Sequence, residues 1–448
     1  MGSIIIRAMR ADSDSSGQTQ TDGGARLGLN RSTVALLLAI LFIGMGQELW
    51  APFMPKFIQQ TIEDHLRGRL SMWGLPAATV IVLLVGLYGT WRDFQEGIYY
   101  YLGGRLGGAL GTRTALIAFA ALPLIGYAMI QIWVSPYVAF IALPFIVAYD
   151  SIAQPATLTV IGQTLGERHR TMAISLQSIQ RRIPRIIAYL AGGALVAGLG
   201  AIGGVRVAVA ISSVLVLIAV LMQVKLLHSH TKDAARGGIA HSKGLLKKFP
   251  RELKRLLLAD ILARVAEGLP RELFVLFSVV SVGEVAGFRG LGTFGLTAST
   301  FGQLLALQAF TSLMIYFPVG WLAARPGASK RPFITLTFIF FAIFPLAFWW
   351  LGSHWGVWGL ALAYVIAGLR EIGEPARKAM ITELVPPQAR TTAIGLYWAV
   401  RTFSVMLMPM IGAIIWVSIS PEAVFITACA AGALGAVAFA MSGRGAPS

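Results

Sequence analysis

The sequence predicts an all-α membrane protein in which twelve transmembrane helices form two pseudo-symmetric six-helix bundles. Three observations carry this expectation. The 448 residues are 56% hydrophobic and only 13% charged, with a mean hydropathy of +0.71, whereas soluble domains carry about 25% charged residues. A basic stretch, residues 228–252, divides the apolar runs into two sets of six. The two halves also repeat: with Pro155 superimposed on Pro375, Asp150 falls on Arg370, Gln154 on Glu374 and Thr157 on Arg377. The echo continues from Arg170-Thr-Met-Ala-Ile-Ser-Leu to Arg390-Thr-Thr-Ala-Ile-Gly-Leu, and Arg181 falls on Arg401.

Residues 1–31 are rich in Ser, Asp, Gly and Arg, show no signal peptide, and are expected to be a disordered cytoplasmic tail. The N-terminal bundle is expected over 32–227. A span needs about 20 mostly apolar residues, which places spans 1 to 6 at 32–57, 72–110, 113–134, 136–165, 170–200 and 205–227. After the basic linker, 228–252, the C-terminal bundle is expected over 253–443. Its spans 7 to 12 lie at 253–281, 292–324, 331–351, 355–384, 391–419 and 421–441, and residues 444–448 form a short tail. Basic residues crowd the linker (Lys247, Lys248, Arg251) and the loops after spans 2, 4, 8 and 10. By the positive-inside rule the linker and both termini face the cytoplasm, in the inner or plasma membrane. The end of the linker, residues 244–258, is a basic amphipathic stretch suited to the inner leaflet.

The net charge of +17 follows this loop pattern, and with no soluble basic domain it does not indicate nucleic acid as a partner. One cysteine, Cys429, rules out an internal disulfide and a thiolate metal cluster. The six histidines fall in loops or at span ends; His228, His230 and His241 either gather a metal or are solvated, and solvation is the simpler reading. A phosphate-binding loop of the Gly-x-x-x-x-Gly-Lys-Ser/Thr type does not occur, and neither does a nucleophile–base constellation. No cofactor and no enzymatic activity are expected.

The unusual feature is charge inside apolar spans, which is costly and faces protein or a water-filled cavity. In span 10, Arg370, Glu374 and Arg377 are spaced to share one helical face. In span 7 the same spacing aligns Asp260, Arg264, Glu267 and Arg271. Span 2 carries Arg92 and Glu96 at i and i+4, with Asp93 beside them and Tyr99, Tyr100 and Tyr101 below. Span 5 carries Arg181, Arg182 and Arg185, span 11 Tyr397 and Arg401, and span 1 Glu48 before Trp50. Each charge could belong to a local ion pair, such as Arg92 with Glu96 or Glu374 with Lys378. For Arg182, Asp260 and Lys378 the simplest expectation is snorkelling towards a helix end. The tyrosines and Trp50 suit either a site or an interface belt.

Two related sets of six helices joined by a basic loop resemble the major facilitator superfamily. The superfamily's loop motif between helices 2 and 3, Gly-x-x-x-Asp-Arg-x-Gly-Arg-Arg, is matched by Gly104, Gly111 and Arg113, and its second copy by Gly320, Arg325 and Gly327. Gly108, Ala109 and Thr112 stand where the Asp and two basic residues would be in the first copy, and Ala324 takes the Asp position in the second, so the usual acidic gate is missing from both copies. A helix-5 motif of proton-exchanging exporters, Gly-Pro-x-x-Gly-Gly, is echoed by Ala188-Tyr-Leu-Ala-Gly192-Gly193 and again by Met408-Pro409-Met-Ile-Gly412-Ala413. The resemblance implies a secondary transporter that rocks two bundles about a central site. It also implies that helices 1, 4, 7 and 10, supported by 2, 5, 8 and 11, line the cavity.

Within that frame the expected solute-binding residues are Arg92, Asp150, Arg181, Arg264, Arg370, Arg377, Tyr397 and Arg401. Arg181 and Arg401 stand out because neither has an acid one turn away in its own helix. An unpaired buried guanidinium favours a carboxylate or phosphate, which it holds with two prongs. A carboxylate in a low-dielectric cavity is suited to carry a proton, and Glu48, Glu96, Glu267 and Glu374 are the candidates. The sequence therefore predicts a monomeric transporter of a small polar solute, anionic or zwitterionic, exported in exchange for protons. A lipid flippase on the same fold, and a non-transporting receptor or assembly protein, are the alternatives.

Overall fold

In lipid a backbone must satisfy its own hydrogen bonds, so apolar runs of spanning length become helices. The computed structural model describes residues 31–66, 71–72, 74–109, 112–149, 167–226, 245–279, 294–323, 329–385 and 390–441. The first half contains α1 (Arg31–Trp50), α2 (Met54–Leu66), α3 (Ala77–Ala109), α4 (Thr112–Ile132), α5 (Val138–Ile146) and α6 (Glu167–Leu226). The second half contains α7 (Arg251–Gly268), α8 (Leu273–Val279), α9 (Ala298–Ala323), α10 (Arg331–Leu369) and α11 (Glu374–Leu384). It ends with α12 (Arg390–Val405), α13 (Met408–Ser418) and α14 (Pro421–Met441). A minimal antiparallel ribbon, Ser71–Met72 with Leu75–Pro76, precedes α3.

Among the described residues seven helical stretches are long and apolar enough to cross a membrane. Two of them, Arg182–Leu226 and Arg331–Leu384, run for 45 and 54 residues. A straight helix of 45 residues would measure about 68 Å, twice a bilayer's hydrocarbon core. Both fold back on themselves, at Gly200 (φ 73°) and Gly356 (φ 56°). A left-handed backbone suits glycine and penalises other residues, so these two positions turn one run into two crossings. They fall at the boundaries expected between spans 5 and 6 and between spans 9 and 10. Large apolar side chains such as Trp358, Leu434 and Val214 are exposed on the outside of the bundles, as a lipid-facing surface requires.

The internal repeat is visible as packing. A Cβ on Gly192 of α6 would strike the backbone carbonyl of Leu49 in α1, and a Cβ on Gly412 of α13 would strike that of Leu269, just after α7. Leu49 and Leu269 are related by the same sequence offset as the two glycines. Across the seam between the halves, Gly302 of α9 lies against the Tyr189 carbonyl of α6, and Gly86 of α3 lies against Pro409 and Ala413 of α13. Tyr189 and Pro409 are again repeat partners. The struck atoms are backbone, which cannot swing aside. Gly192→Ala and Gly412→Ala should each cost about 1–3 kcal/mol, read as a lower melting temperature of the purified protein. Gly44→Ala, where nothing lies within 4 Å, should cost nothing.

Candidate solute-binding cavity

Three of the spanning helices are interrupted, and the interruptions place the charges. A three-residue 3-10 turn, Ala51–Phe53, separates α1 from α2. The turn at 269–272 separates α7 from α8, and the turn at 370–373 separates α10 from α11. Each interruption contains, or lies within two residues of, a proline (Pro52, Pro270, Pro375) that cannot donate a backbone hydrogen bond and crowds the preceding turn. The freed groups find other partners: the Gly373 N–H donates to Thr337 Oγ1 at 2.6 Å, and the Leu273 N–H to the Pro270 carbonyl at 2.9 Å. These turns correct two expectations. Arg271 does not continue the α7 face of Asp260, Arg264 and Glu267, and Arg370 does not share a helical face with Glu374 and Arg377. Residues at i, i+4 and i+7 share a face only along an unbroken helix, and these helices are interrupted near prolines.

A cavity of about 440 Å³ lies between the two halves. Its wall includes four carboxylates, Glu48, Glu96, Glu267 and Glu272, and four guanidiniums, Arg92, Arg185, Arg271 and Arg370. Glu48 of α1 accepts from Arg185 of α6 at 2.6 Å and from the Tyr189 hydroxyl at 2.8 Å. Arg92 of α3 lies 3.4 Å from Glu96, the expected local pair, and 3.2 Å from Glu272 in the other half. Arg271 reaches Asp93 at 2.8 Å and Glu272 at 2.9 Å. Glu267 is paired with Arg264, and Arg370 approaches it only to 3.9 Å. Arg370 donates through Nε to the Ala367 carbonyl at 3.1 Å and lies over the rings of Phe341 and Phe344, at 4.9 and 4.6 Å. Of the four guanidiniums on the wall it is the one with the weakest anionic partner.

A second charged cluster sits inside the C-terminal half, away from the cavity wall. Asp260, fully buried, is paired with Arg377, itself 1% exposed. Asp260 also accepts from the Tyr397 hydroxyl at 3.1 Å and lies 3.8 Å from Arg401. Glu374 is held by Arg377 and by Lys378 at 3.1 Å. The Trp398 ring lies under Arg401 at 4.0 Å and beside Arg377 at 5.7 Å. A third group crosses the seam: Arg182 of α6 meets Glu371 at 2.9 Å, and the Tyr316 hydroxyl of α9 donates to the same carboxyl at 2.9 Å.

The structure thus separates the expected site residues. Arg92, Arg370, Glu48, Glu96 and Glu267 line the cavity, with Arg264 directly behind Glu267. Arg377, Tyr397, Arg401 and Glu374 belong to the second cluster. Arg401 is not without an acid, because Asp260 reaches it from another helix. Asp150, Gly111 and Arg325 lie outside the described residues. Gly104, Arg181, Arg113 and Gly320 are helical, in α3, α6, α4 and α9, but their side chains lie outside the description. Snorkelling is corrected for Arg182, Asp260 and Lys378, which are engaged in ion pairs within the protein. The belt reading is corrected for Trp50, buried edge-on to Tyr127 at 6.0 Å, and for Tyr100, which lines the cavity. Tyr99 donates to the Pro144 carbonyl at 2.6 Å. Sequence reasoning passed over Glu272 and Glu371; each directly follows an arginine and lies within four residues of a mid-span proline, and that conjunction is the signal for both. Among the described residues no group of three His, Cys, Asp or Glu side chains is placed to hold a metal ion.

Interrupted helices around a central polar cavity, between two repeat-related halves, are the architecture in which secondary transporters place their sites. Residues 291–447 match the model of the Major Facilitator Superfamily, and the chain as a whole has the fold of that superfamily's transporters. The human organic anion transporter MFSD10 (TETRAN) superposes with a TM-score of 0.63 at 14% identity, covering 91% of this chain and 99% of that one. A mutant of the nucleoside transporter NupG superposes with a TM-score of 0.63 at 13% identity, covering 93% and 100%. The proton:xylose symporter XylE, bound to 6-bromo-6-deoxy-D-glucose, gives 0.63 at 13% identity, covering 91% and 95%. No curated protein matches the sequence. The partial family match and the shared fold are those of membrane transporters, and no subfamily is identified.

Proposed function

We propose that the protein moves a small charged solute across the inner or plasma membrane by alternating access, as a monomer with both termini cytoplasmic. The observation that carries the charge of the solute is Arg370. Its guanidinium sits on the cavity wall, stacked on two phenylalanine rings, with its nearest carboxylate at 3.9 Å. It is the cation on this wall best placed to receive an anionic group of the solute. The polar wall also disfavours a lipid path, which needs an apolar groove. Glu267 is the coupling carboxylate this arrangement supports best, because it lines the cavity, pairs with Arg264 and lies 3.9 Å from Arg370. Glu374, held away from the cavity by Arg377 and Lys378, supports the cluster instead. Proton exchange and outward transport are the direction favoured by Gly192 and Gly193, the surviving part of the exporter motif.

Metabolite comparison of cells with and without the protein tests the reading. Wild-type protein should change the pools of a narrow set of small charged solutes. Arg370→Ala, present in the membrane in equal amount, should not. Unaltered pools with the wild-type protein would refute transport, and a full effect with Arg370→Ala would remove Arg370 as the anion reader. Glu267→Gln should abolish movement against the gradient and preserve downhill exchange of the same solute. Uphill transport by that variant would place coupling elsewhere.

A further inference from the structure

We infer that the transported solute is a zwitterion, read by four charges at the seam: Arg92 and Asp93 of α3, and Arg271 and Glu272 of the turn between α7 and α8. The inference rests on the transporter reading and names the class of its substrate. The pairing across the seam is reciprocal. Arg92 lies 3.2 Å from Glu272 and Arg271 lies 2.8 Å from Asp93, so each half offers one cation and one anion to the other. Three of the four side chains line the cavity. The two carboxylates are almost wholly enclosed, with side chains 3% exposed for Asp93 and 6% for Glu272. The set is also incompletely satisfied: Asp93 Oδ2 is buried with no hydrogen-bond partner among the described residues, and Arg92 Nε has only its 3.4 Å ion contact with Glu96.

Charge balance then selects the ligand. The cavity wall holds equal numbers of carboxylates and guanidiniums. The groups directly behind it, Asp93 on Arg271 and Arg264 on Glu267, are again one of each sign. A simple anion entering this wall would leave one buried charge uncompensated, which is expensive at low dielectric. A solute with one anionic and one cationic group substitutes like for like. Its anion takes Arg92 and Arg271 beside Arg370 on the same wall, and its cation takes Glu272 and the adjacent Glu96. A cavity of this size lies within the range of about 300–1,000 Å³ typical of small-molecule sites and holds an amino acid or a betaine. The substitution also couples binding to movement. Separating the halves at this seam breaks both cross-seam pairs; Arg92 keeps Glu96 and Arg271 keeps Glu272, but Asp93 loses its cation, unless the solute re-pairs these groups as they part. A solute that binds the parted state better shifts the equilibrium towards it.

The test uses the full-length purified protein and matched probes: the proteinogenic amino acids and glycine betaine as zwitterions, N-acetyl amino acids as anions, amino acid amides as cations, and sugars as neutral solutes. At least one zwitterion should raise the melting temperature with increasing concentration, and its N-acetyl and amide counterparts should not. In Arg92→Gln/Glu272→Gln the affinity for that zwitterion should fall by about tenfold or more. The reversed pair Arg92→Glu/Glu272→Arg keeps both charges and should bind better than the neutral pair, though below wild type because the new charges adjoin Glu96 and Arg271, which separates loss of the site from loss of the fold. Stabilisation by an anion or a cation as strong as by its zwitterion would overturn the inference and leave transport of a charged solute standing. Stabilisation by no zwitterion, or undiminished binding by the neutral pair, would overturn it equally. The transporter reading itself stands or falls on the metabolite comparison.

Discussion

Asp260→Asn is expected to destabilise the folded protein by about 3–5 kcal/mol, the range for removing one member of a buried ion pair. Asp260 is fully buried and is the meeting point of Arg377, Tyr397 and Arg401. An asparagine there retains the shape and loses the charge. Arg377, 1% exposed, would then rely on Glu374 alone, and Arg401 would keep only the face of Trp398. Arg401 already has Nε and Nη1 buried without hydrogen-bond partners, so it has no reserve. Thermal or denaturant unfolding of the purified protein measures the loss. Glu383→Gln is the matched control: Glu383 pairs with Lys330 at 2.5 Å, but its side chain is 32% exposed, and exposed pairs contribute about 0–1 kcal/mol. Equal losses in the two variants would mean that burial does not set the value of the Asp260 cluster.

The second large effect belongs to the seam. Asp93→Arg should leave Arg271 facing a second guanidinium in a buried position. The cost is on the order of 3–5 kcal/mol, enough to lower the yield of monodisperse protein and abolish the wild-type change in metabolite pools. Adding Arg271→Asp restores opposite charges at the 2.8 Å contact with the signs exchanged. The double variant should recover most of the yield, and with it part of the metabolite change. Recovery no better than Asp93→Arg alone would mean that the two residues do not depend on one another. Glu272 adds a constraint, because it also touches Arg271 at 2.9 Å. The new aspartate at 271 would adjoin Glu272, so recovery is expected to be large but incomplete.

Much of this protein was determined by its sequence. Twenty apolar residues in lipid have few stable solutions, and the helix is the one open to a single segment. For that reason the spans, the turn at Gly200 and the onset of α14 at Pro421 follow from composition and punctuation alone. The repeat added more: the equivalence of Gly192 with Gly412 anticipates that both helices approach a partner backbone, at Leu49 and Leu269. What sequence spacing could not decide is which charge meets which. Periodicity describes one uninterrupted helix, and prolines interrupt three of these. Arg271 and Glu272 therefore leave the face to which arithmetic assigned Arg271 and turn towards α3, and Arg370 parts from Glu374. Arg401, which has no acid within its own helix, finds Asp260 across the bundle. Coulomb interactions at low dielectric depend on separation in space, and Arg92 and Glu272 are brought to 3.2 Å only when the two halves dock. The tertiary structure alone divided one population of membrane-buried charges into a stabilising cluster around Asp260 and a balanced wall around the cavity.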